Sequence, residues 1–390
     1  MADDELPERA EVVVIGAGII GCAVAALLQA EGLEVCVVDQ VGPAAGSSSA
    51  GEGNLLVSDK LPGLDLELAR ASLALWRDLA DELAGGFEYE PKGGLVVAPD
   101  EAALSQLVAL AEAQRAEGAV LSVVAGSELA ALEPNLSREV AGGVFYEEDA
   151  QVQPMLAVDA LVRALRGRGG RLVGGVTVRG ATRAHDGRIA RLSTSAGDIG
   201  VGRAVVNAAG AWAGEVATLL GGYVPVTPRR GHVLVTEPVA PFTPHKVYES
   251  GYVAAIHEDA RGYRTSAVVE ATPSGTMLLG SSREFVGFSR TVNSAVRASI
   301  AARSIRLFPA LASVRLLRTY VGFRPATPDR LPVLGEDVQV PGLLHATGHE
   351  GAGVGLAPAS ARAVLALLGG RDPGFALDPF SPARFAPARQ

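Results

Sequence analysis

The stretch Glu11-Val-Val-Val-Ile-Gly16-Ala-Gly18-Ile-Ile-Gly21, followed by an alanine-rich run and closed by Val35-Cys-Val-Val-Asp39, constrains the fold more than any other part of the chain. A β-branched run reads as a buried parallel strand, G-x-G-x-x-G ends it, a helix follows, and a second strand ends in an acid. Each glycine has a separate task. Gly16 makes the tight turn, Gly18 lets a pyrophosphate approach the backbone, and Gly21 lets helix and strand pack closely. The helix N-terminus then offers unpaired N–H groups and a favourable dipole to phosphate. Asp39, about 20 residues on, is placed to accept a hydrogen bond from a ribose hydroxyl and to repel a 2′-phosphate. The pattern predicts a dinucleotide site; the alternative is a glycine-rich turn in an α/β core that binds nothing.

At 390 residues the chain exceeds one ordinary core, which predicts two domains. Apolar residues make up 48% and charged residues 20%, a balance that fills a sizeable core and excludes a disordered chain. A net charge of −9 argues against nucleic acid and against an anionic membrane surface as partners. The two cysteines, Cys22 and Cys36, fall on the first helix and second strand and read as small core residues. Without a C-x-x-C or C-x4-C pair, the chain has neither a dithiol redox centre nor a cysteine-ligated iron–sulfur cluster of its own. The apolar run from Val12 to Leu28 follows acids where a signal peptide needs positive charge, and no other segment approaches the ~20 apolar residues of a membrane span. The expectation is a soluble, cytoplasmic protein with no metal at its site.

Along the chain, the small-residue loop from Gly42 to Leu55 reads either as an extension of the phosphate cradle or as a flexible linker. Apolar spacing predicts a helix over Leu66 to Leu83 with Trp76 in the core, a strand at Gly94-Leu-Val-Val-Ala, and an exposed helix over Glu101 to Glu117. A second α/β passage starts with a helix from Pro154 to about Gly167, passes Arg171-Leu-Val-Gly-Gly-Val176-Thr-Val and a hairpin at Asp186-Gly187, and closes on the strand Ala204 to Gly210. From about Val224 to Leu279 the texture becomes that of a mostly antiparallel, separate layer. Leu343 onward returns to strand, glycine turn and alanine-rich helix, and the tail after Gly370 is Pro-rich. The predicted class is α/β: a Rossmann-like nucleotide domain from three pieces (1–85, 150–222 and 318–390) and an antiparallel substrate domain with flanking helices (86–149 and 223–317).

Beyond the fingerprint, the Ser47-Ser48-Ser49 loop with Gly53, Val176, Asn207-Ala-Ala-Gly210-Ala-Trp, Gly322-Phe-Arg324-Pro and Gly348-His-Glu-Gly-Ala-Gly353 together resemble the FAD-dependent amino acid oxidase and dehydrogenase family that includes D-amino acid, glycine and sarcosine oxidases. The phrases Gly-Asn54-Leu-Leu and Leu279-Gly-Ser-Ser-Arg-Glu-Phe-Val-Gly-Phe look most like the flavin subunits of heteromeric dehydrogenases acting on D-hydroxyproline, proline, opines or glycine. The resemblance implies that Gly16, Gly18, Ile19, Ile20 and Gly21 hold the FAD pyrophosphate, Asp39 and Gln40 the adenosine ribose, and Val176 the adenine through its backbone. Ser47, Ser48, Gly53, Asn54 and Leu55 would run from phosphate to isoalloxazine, with Ala208, Gly210 and Trp212 alongside. Gly348, His349, Glu350, Gly351, Ala352, Gly353 and Val354, at the N-terminus of the last helix, would face the flavin where negative charge develops. Covalent relatives use a cysteine in the C-terminal third; none follows Cys36 here, which implies noncovalent FAD.

The reaction implied is hydride removal from the carbon bearing an amine, giving an imine. Arg324 matches the family's carboxylate-binding arginine, whose fork grips two oxygens at once; the alternative is a bracing arginine paired to an internal acid. Tyr248 and Tyr252 fall near the family's substrate tyrosine, with an insertion around Glu258 to Gly262 blurring the match, and either can be a core aromatic instead. His232 and His349 can tune the flavin or take a proton, or be satisfied structural histidines. Relatives resembling glycine oxidase carry an arginine where this chain has Gly351 and a methionine where it has Asn54, a departure that puts glycine as substrate in doubt. The competing activities are oxidation of a C–O bond in a 2-hydroxy acid, and a flavin subunit active only beside iron–sulfur or second flavoprotein subunits.

Overall fold

The structure, a computed structural model, describes residues 4–83, 86–239, 241–252 and 262–385. Its first sheet has eight strands and is built on the fingerprint. Strand Arg9–Ile15 runs parallel to Val35–Val38 on one side, with Ile15 opposite Val38, and parallel to Gly197–Asn207 on the other, with Ile15 opposite Asn207. Arg171–Val173 and Leu343–Thr347 extend the sheet in parallel at its two sides, and Val333–Glu336 adds an antiparallel edge. These strands are apolar almost throughout because both faces are covered. The hairpin Val178–Arg183 and Ile189–Thr194 grows from Gly197–Asn207, and Gly187 takes the positive φ of +83° that its turn requires.

Helix Ile19–Ala30 is buried over most of its surface and packs between helices Pro154–Gly167 and Ala357–Leu367. Its Ala23, Ala25 and Ala26 and the facing Ala359, Ala361 and Ala363 are all core, since small side chains let backbones approach closely. Helices Leu64–Glu82 and Glu101–Ala116 lie within two residues of their expected bounds. Cys22 and Cys36 are buried, and burial pushes both thiols up to about 12.

The second sheet also has eight strands, in the order Leu316–Ala326, Thr227–Thr236, Met277–Arg283, Arg264–Ala271, Lys246–Glu249, Gly94–Ala98, Gly142–Tyr146 and Leu121–Ala125. All neighbours are antiparallel except Lys246–Glu249 with Gly94–Ala98. Helix Ser294–Leu307 covers one face through Val296, Ile300 and Leu307. Two expected boundaries shift. The division at 318 falls inside strand Leu316–Ala326, which pairs with Thr227–Thr236 from end to end, so the chain returns to the first sheet only after Ala326. The last helix begins at Ala357, not within 348–354, because Gly348–Leu356 is spent on turns. The Pro-rich tail forms short turns over Asp378–Phe380 and Pro382–Phe385 and buries Phe380. Among the described residues no helix is long and apolar enough to cross a membrane.

Candidate active site

A cavity of about 690 Å³ lies where the two sheets meet. Gly16, Gly18, Ile19, Ile20, Asp39, Gln40 and Val176 line one end of it. Gly16 has φ +110°, and a Cβ there would sit 2.5 Å from the Ala208 carbonyl oxygen. A Cβ on Gly21 would sit 1.9 Å from the Gly16 carbonyl oxygen, so this glycine serves helix–strand contact and does not reach the cavity. Gly18 keeps its stretch of wall free of side chain. Ser48 Oγ accepts the Ile19 N–H at 2.9 Å and ties the serine loop to the helix start. Asp39 accepts three backbone N–H groups at 2.8 Å: Ala17 on Oδ2, Val41 and Gly42 on Oδ1. A carboxylate has about four acceptor directions, so roughly one remains for a ligand hydroxyl. The Val176 N–H is taken by the Asp39 carbonyl at 2.9 Å, which ties the Val176 turn to the end of the second strand. A backbone cradle of this kind fits a dinucleotide.

The other end is built from side chains. Arg324 reaches the cavity from strand Leu316–Ala326 and donates from Nη1 to the Ser282 carbonyl at 2.7 Å. It fits only because Gly231 lacks a Cβ, which would stand 2.3 Å from that nitrogen. Among the described residues it has no carboxylate partner. Glu52, between Gly51 and Gly53, also lines the cavity; burial pushes its carboxyl above the ordinary range, Lys246 opposes this, and Oε1 has no hydrogen-bond partner. Asn54 Oδ1 is likewise buried without a donor. Lys246 itself is paired with Glu270 in the core.

Glu350 holds a φ of +48°, a left-handed conformation that non-glycine residues adopt at a cost and that concentrates at functional sites. Burial alone would raise its carboxyl, but Arg283, Arg324 and Arg229 together hold it below the usual range, and Arg229 pairs with it at 3.2 Å. His349 is buried, and burial pushes its pKa down to about 3, so the ring is neutral. Ser360 donates its hydroxyl to the Leu356 carbonyl, so the 2.8 Å contact between His349 Nε2 and Ser360 Oγ is donated by the imidazole. Trp76 Nε1 and Ser72 Oγ fix the same turn by donating to the Gly355 carbonyl, at 3.1 and 2.6 Å. Between the two ends, Trp212 stacks on Phe288 with ring centroids 4.8 Å apart.

The cavity brings together Arg324, Tyr252, Asn54 and most of the expected cofactor positions: Ser47, Ser48, Ala208, Gly210, Trp212, His349, Glu350, Gly351, Gly353 and Val354 line it. Gly53, Leu55, Gly348 and Ala352 do not. Gly53 presses on the Val152 carbonyl, Leu55 is core, and Gly348 takes φ +76° against Thr327. Two expected catalytic side chains also lie elsewhere. Strand alternation turns Gly231 and Val233 toward the cavity and His232 away from it. His232 Nε2 accepts the Asn293 N–H at 3.1 Å, Nδ1 sits 2.9 Å from Ser282 Oγ, and burial lowers its pKa; it is a structural, neutral ring. Tyr248 is fully buried, bonded to Ser58 and set edge-on to Tyr252 at 5.1 Å. Of the insertion at 258–262 only Gly262 belongs to the described residues. Glu52, Arg229 and Arg283 are the polar groups that sequence reasoning missed. Their signal was a charged residue inside a small-residue loop or an apolar strand.

A dinucleotide cradle opening into a mostly apolar cavity with a few convergent charged groups, roofed by a second sheet, is the layout of a dinucleotide-dependent enzyme. Residues 11–367 match the family model DAO, FAD dependent oxidoreductase. The chain is 31% identical over 382 residues to the glycine oxidase of Pseudomonas aeruginosa, covering 95% of this chain and 98% of that protein. It is 30% identical over 377 residues to the bifunctional protein ThiO/ThiG of Nostoc sp., covering 92% of this chain and 52% of that protein, so it spans about half of that relative. The crystal structure of glycine oxidase from Geobacillus kaustophilus superposes with a TM-score of 0.87 at 26% identity, covering 97% and 99% of the two chains. The chain belongs to the DAO family of FAD-dependent oxidoreductases.

Proposed function

We propose that this enzyme oxidises the C–N bond of a small carboxylated amino or imino acid, of the D-amino acid, proline-like or opine-like kind, with noncovalently held FAD. The observation that carries this reading is the pairing, in one cavity, of an arginine without a carboxylate and two buried acceptors without donors. Arg324 grips the substrate carboxylate through parallel hydrogen bonds. Glu52 Oε1 and Asn54 Oδ1 receive the amine N–H groups, which a hydroxyl with its single hydrogen would satisfy only in part. Tyr252 closes the pocket over the substrate, and Gly351, Gly353 and Val354 border the flavin side. When bound, FAD supplies the hydride acceptor. Nothing along this wall needs to ionise during turnover if the amine enters neutral.

Anaerobic mixing of the FAD-loaded enzyme with a panel of amino, imino and 2-hydroxy acids tests this, read at the flavin absorbance bands. Bleaching by amines is expected; bleaching by 2-hydroxy acids alone would transfer the reading to C–O oxidation. Acid precipitation should leave all flavin in the supernatant. The resemblance to subunits of heteromeric dehydrogenases further suggests an acceptor other than oxygen. Substrate-dependent dye reduction should then run well ahead of peroxide formation, and peroxide at the dye rate would identify an oxidase that works alone.

A further inference from the structure

Arg283 ends strand Met277–Arg283 and is only 3% exposed, yet its Nε and Nη2 have no hydrogen-bond partner. Among the described residues no carboxylate pairs with it. Its guanidinium lies 4.8 Å from the ring centroid of Tyr252, a cavity-lining residue, and it is the cation acting most strongly on Glu350, another. Its chain neighbour Ser282 accepts a hydrogen bond from Arg324. Arg229, Arg283 and Arg324 thus gather around a single carboxylate, Glu350, which Arg229 already engages. Among the described residues neither Arg283 nor Arg324 has an ion pair of its own. Burial raises the Glu52 carboxyl above its ordinary range, against the pull of Lys246 and Arg324. A buried guanidinium with unused donors is strongly unfavourable unless an anion completes it.

Resting on the amino-acid reading above, we propose that the substrate is a dicarboxylate: an amino or imino acid whose first carboxylate is held by Arg324 and whose second acidic group is held by Arg283. Two carboxylates match these two guanidinium groups, and the oxidised C–N bond lies between or beside them, next to Glu52 and Asn54. Arg283 is in this view a specificity residue. Tyr252, with its ring face under the guanidinium carbon, keeps the fork in place.

The test is calorimetric binding of inert ligands to the FAD-loaded full chain at pH 8, which requires no turnover. Succinate should bind on the order of ten-fold or more tighter than butyrate, which has the same length and one carboxylate fewer. In Arg283→Met that ratio should fall to about two or less while butyrate affinity is retained, and Arg283→Lys should keep part of it. A ratio near one in the wild type would overturn the proposal. So would a ratio that survives Arg283→Met, or an equal loss of both ligands, which would mark a purely structural arginine. Should the methionine variant fail to fold, the wild-type ratio and the lysine variant decide. The amino-acid reading fails separately, if no amine bleaches the flavin. With reading and proposal both sound, iminodiacetate should also reduce the flavin faster than N-methylglycine.

Discussion

Around Gly16 and Asp39 the polar groups are engaged: Asp39 takes three N–H donors, Ser48 holds Ile19, and Val176 is bonded to Asp39. Around Arg324 the situation is reversed, with Glu52, Asn54, Arg229 and Arg283 each keeping a buried polar atom unpaired. The first end is made of backbone held in a fixed shape, suited to a group that stays bound. The second is made of polar and charged side chains that, among the described residues, are only partly paired, suited to a group that comes and goes. Unpaired buried polar atoms are destabilising, so Glu52 and Asn54 in the cavity wall, with Arg229 and Arg283 near it, mark a place where the fold gives up stability for chemistry.

Substitutions at the two ends should therefore fail differently. The largest effect belongs to Gly18→Val, which places a branched side chain against the phosphate path; it should yield colourless or insoluble protein, checked by flavin absorbance after purification. Arg324→Lys keeps the charge and loses the fork, so kcat/KM for carboxylated substrates should drop by about 2–4 kcal/mol in transition-state binding with normal FAD content. If instead the flavin is lost and substrate affinity survives, Arg324 braces the fold and the contrast between the ends breaks down. Glu52→Leu removes Oε1, which no protein donor uses, and Oε2, which accepts only from Asn54 Nδ2 at 3.4 Å. Stability by thermal melting should hold or rise, while kcat/KM falls by roughly 1–2 kcal/mol.

His349 sharpens the contrast through pH. Its folded pKa, about 3, lies below the ordinary 6.5, so between these values the unfolded chain binds a proton that the native state refuses. Stability from this group is present above pH 6.5 and is lost as pH falls toward 3. His349→Gln should flatten the fall of Tm between pH 6 and pH 4, and the kcat/KM profile above pH 6 should carry no limb from this ring. The smallest effect is expected for Tyr248→Phe, which gives up one buried hydrogen bond to Ser58 for about 1 kcal/mol of stability and leaves kcat/KM unchanged.

The nucleotide end was readable in the sequence because backbone demands leave local marks: Gly16 needs positive φ, Gly21 needs contact, and Val12 to Ile15 must be apolar on both faces. The three-piece sheet was readable for the same reason. The substrate end was readable only in part: motif resemblance points to Arg324, Tyr252 and Asn54, which line the cavity, whereas Glu52 and Arg283 are marked by the lack of a partner. Arg283 and Glu52 reveal that lack only once strands distant in sequence have been paired. His232 was misjudged at a finer level: its motif neighbours Gly231 and Val233 do line the cavity, and period-two alternation places its ring on the opposite face. The boundary at 318 failed because a strand that carries a site residue at its end belongs to the sheet that pairs with it, here through Thr227–Thr236.

In the proposed function the unpaired end of the cavity takes an amine and its carboxylate. Anaerobic flavin reduction by alanine and by lactate, each as both enantiomers and with proline and iminodiacetate alongside, tests it most directly, since alanine and lactate differ only in amine against hydroxyl. Bleaching by one or more of the amines, with neither lactate enantiomer effective, is the predicted result. Bleaching by lactate with every amine inert would contradict the account.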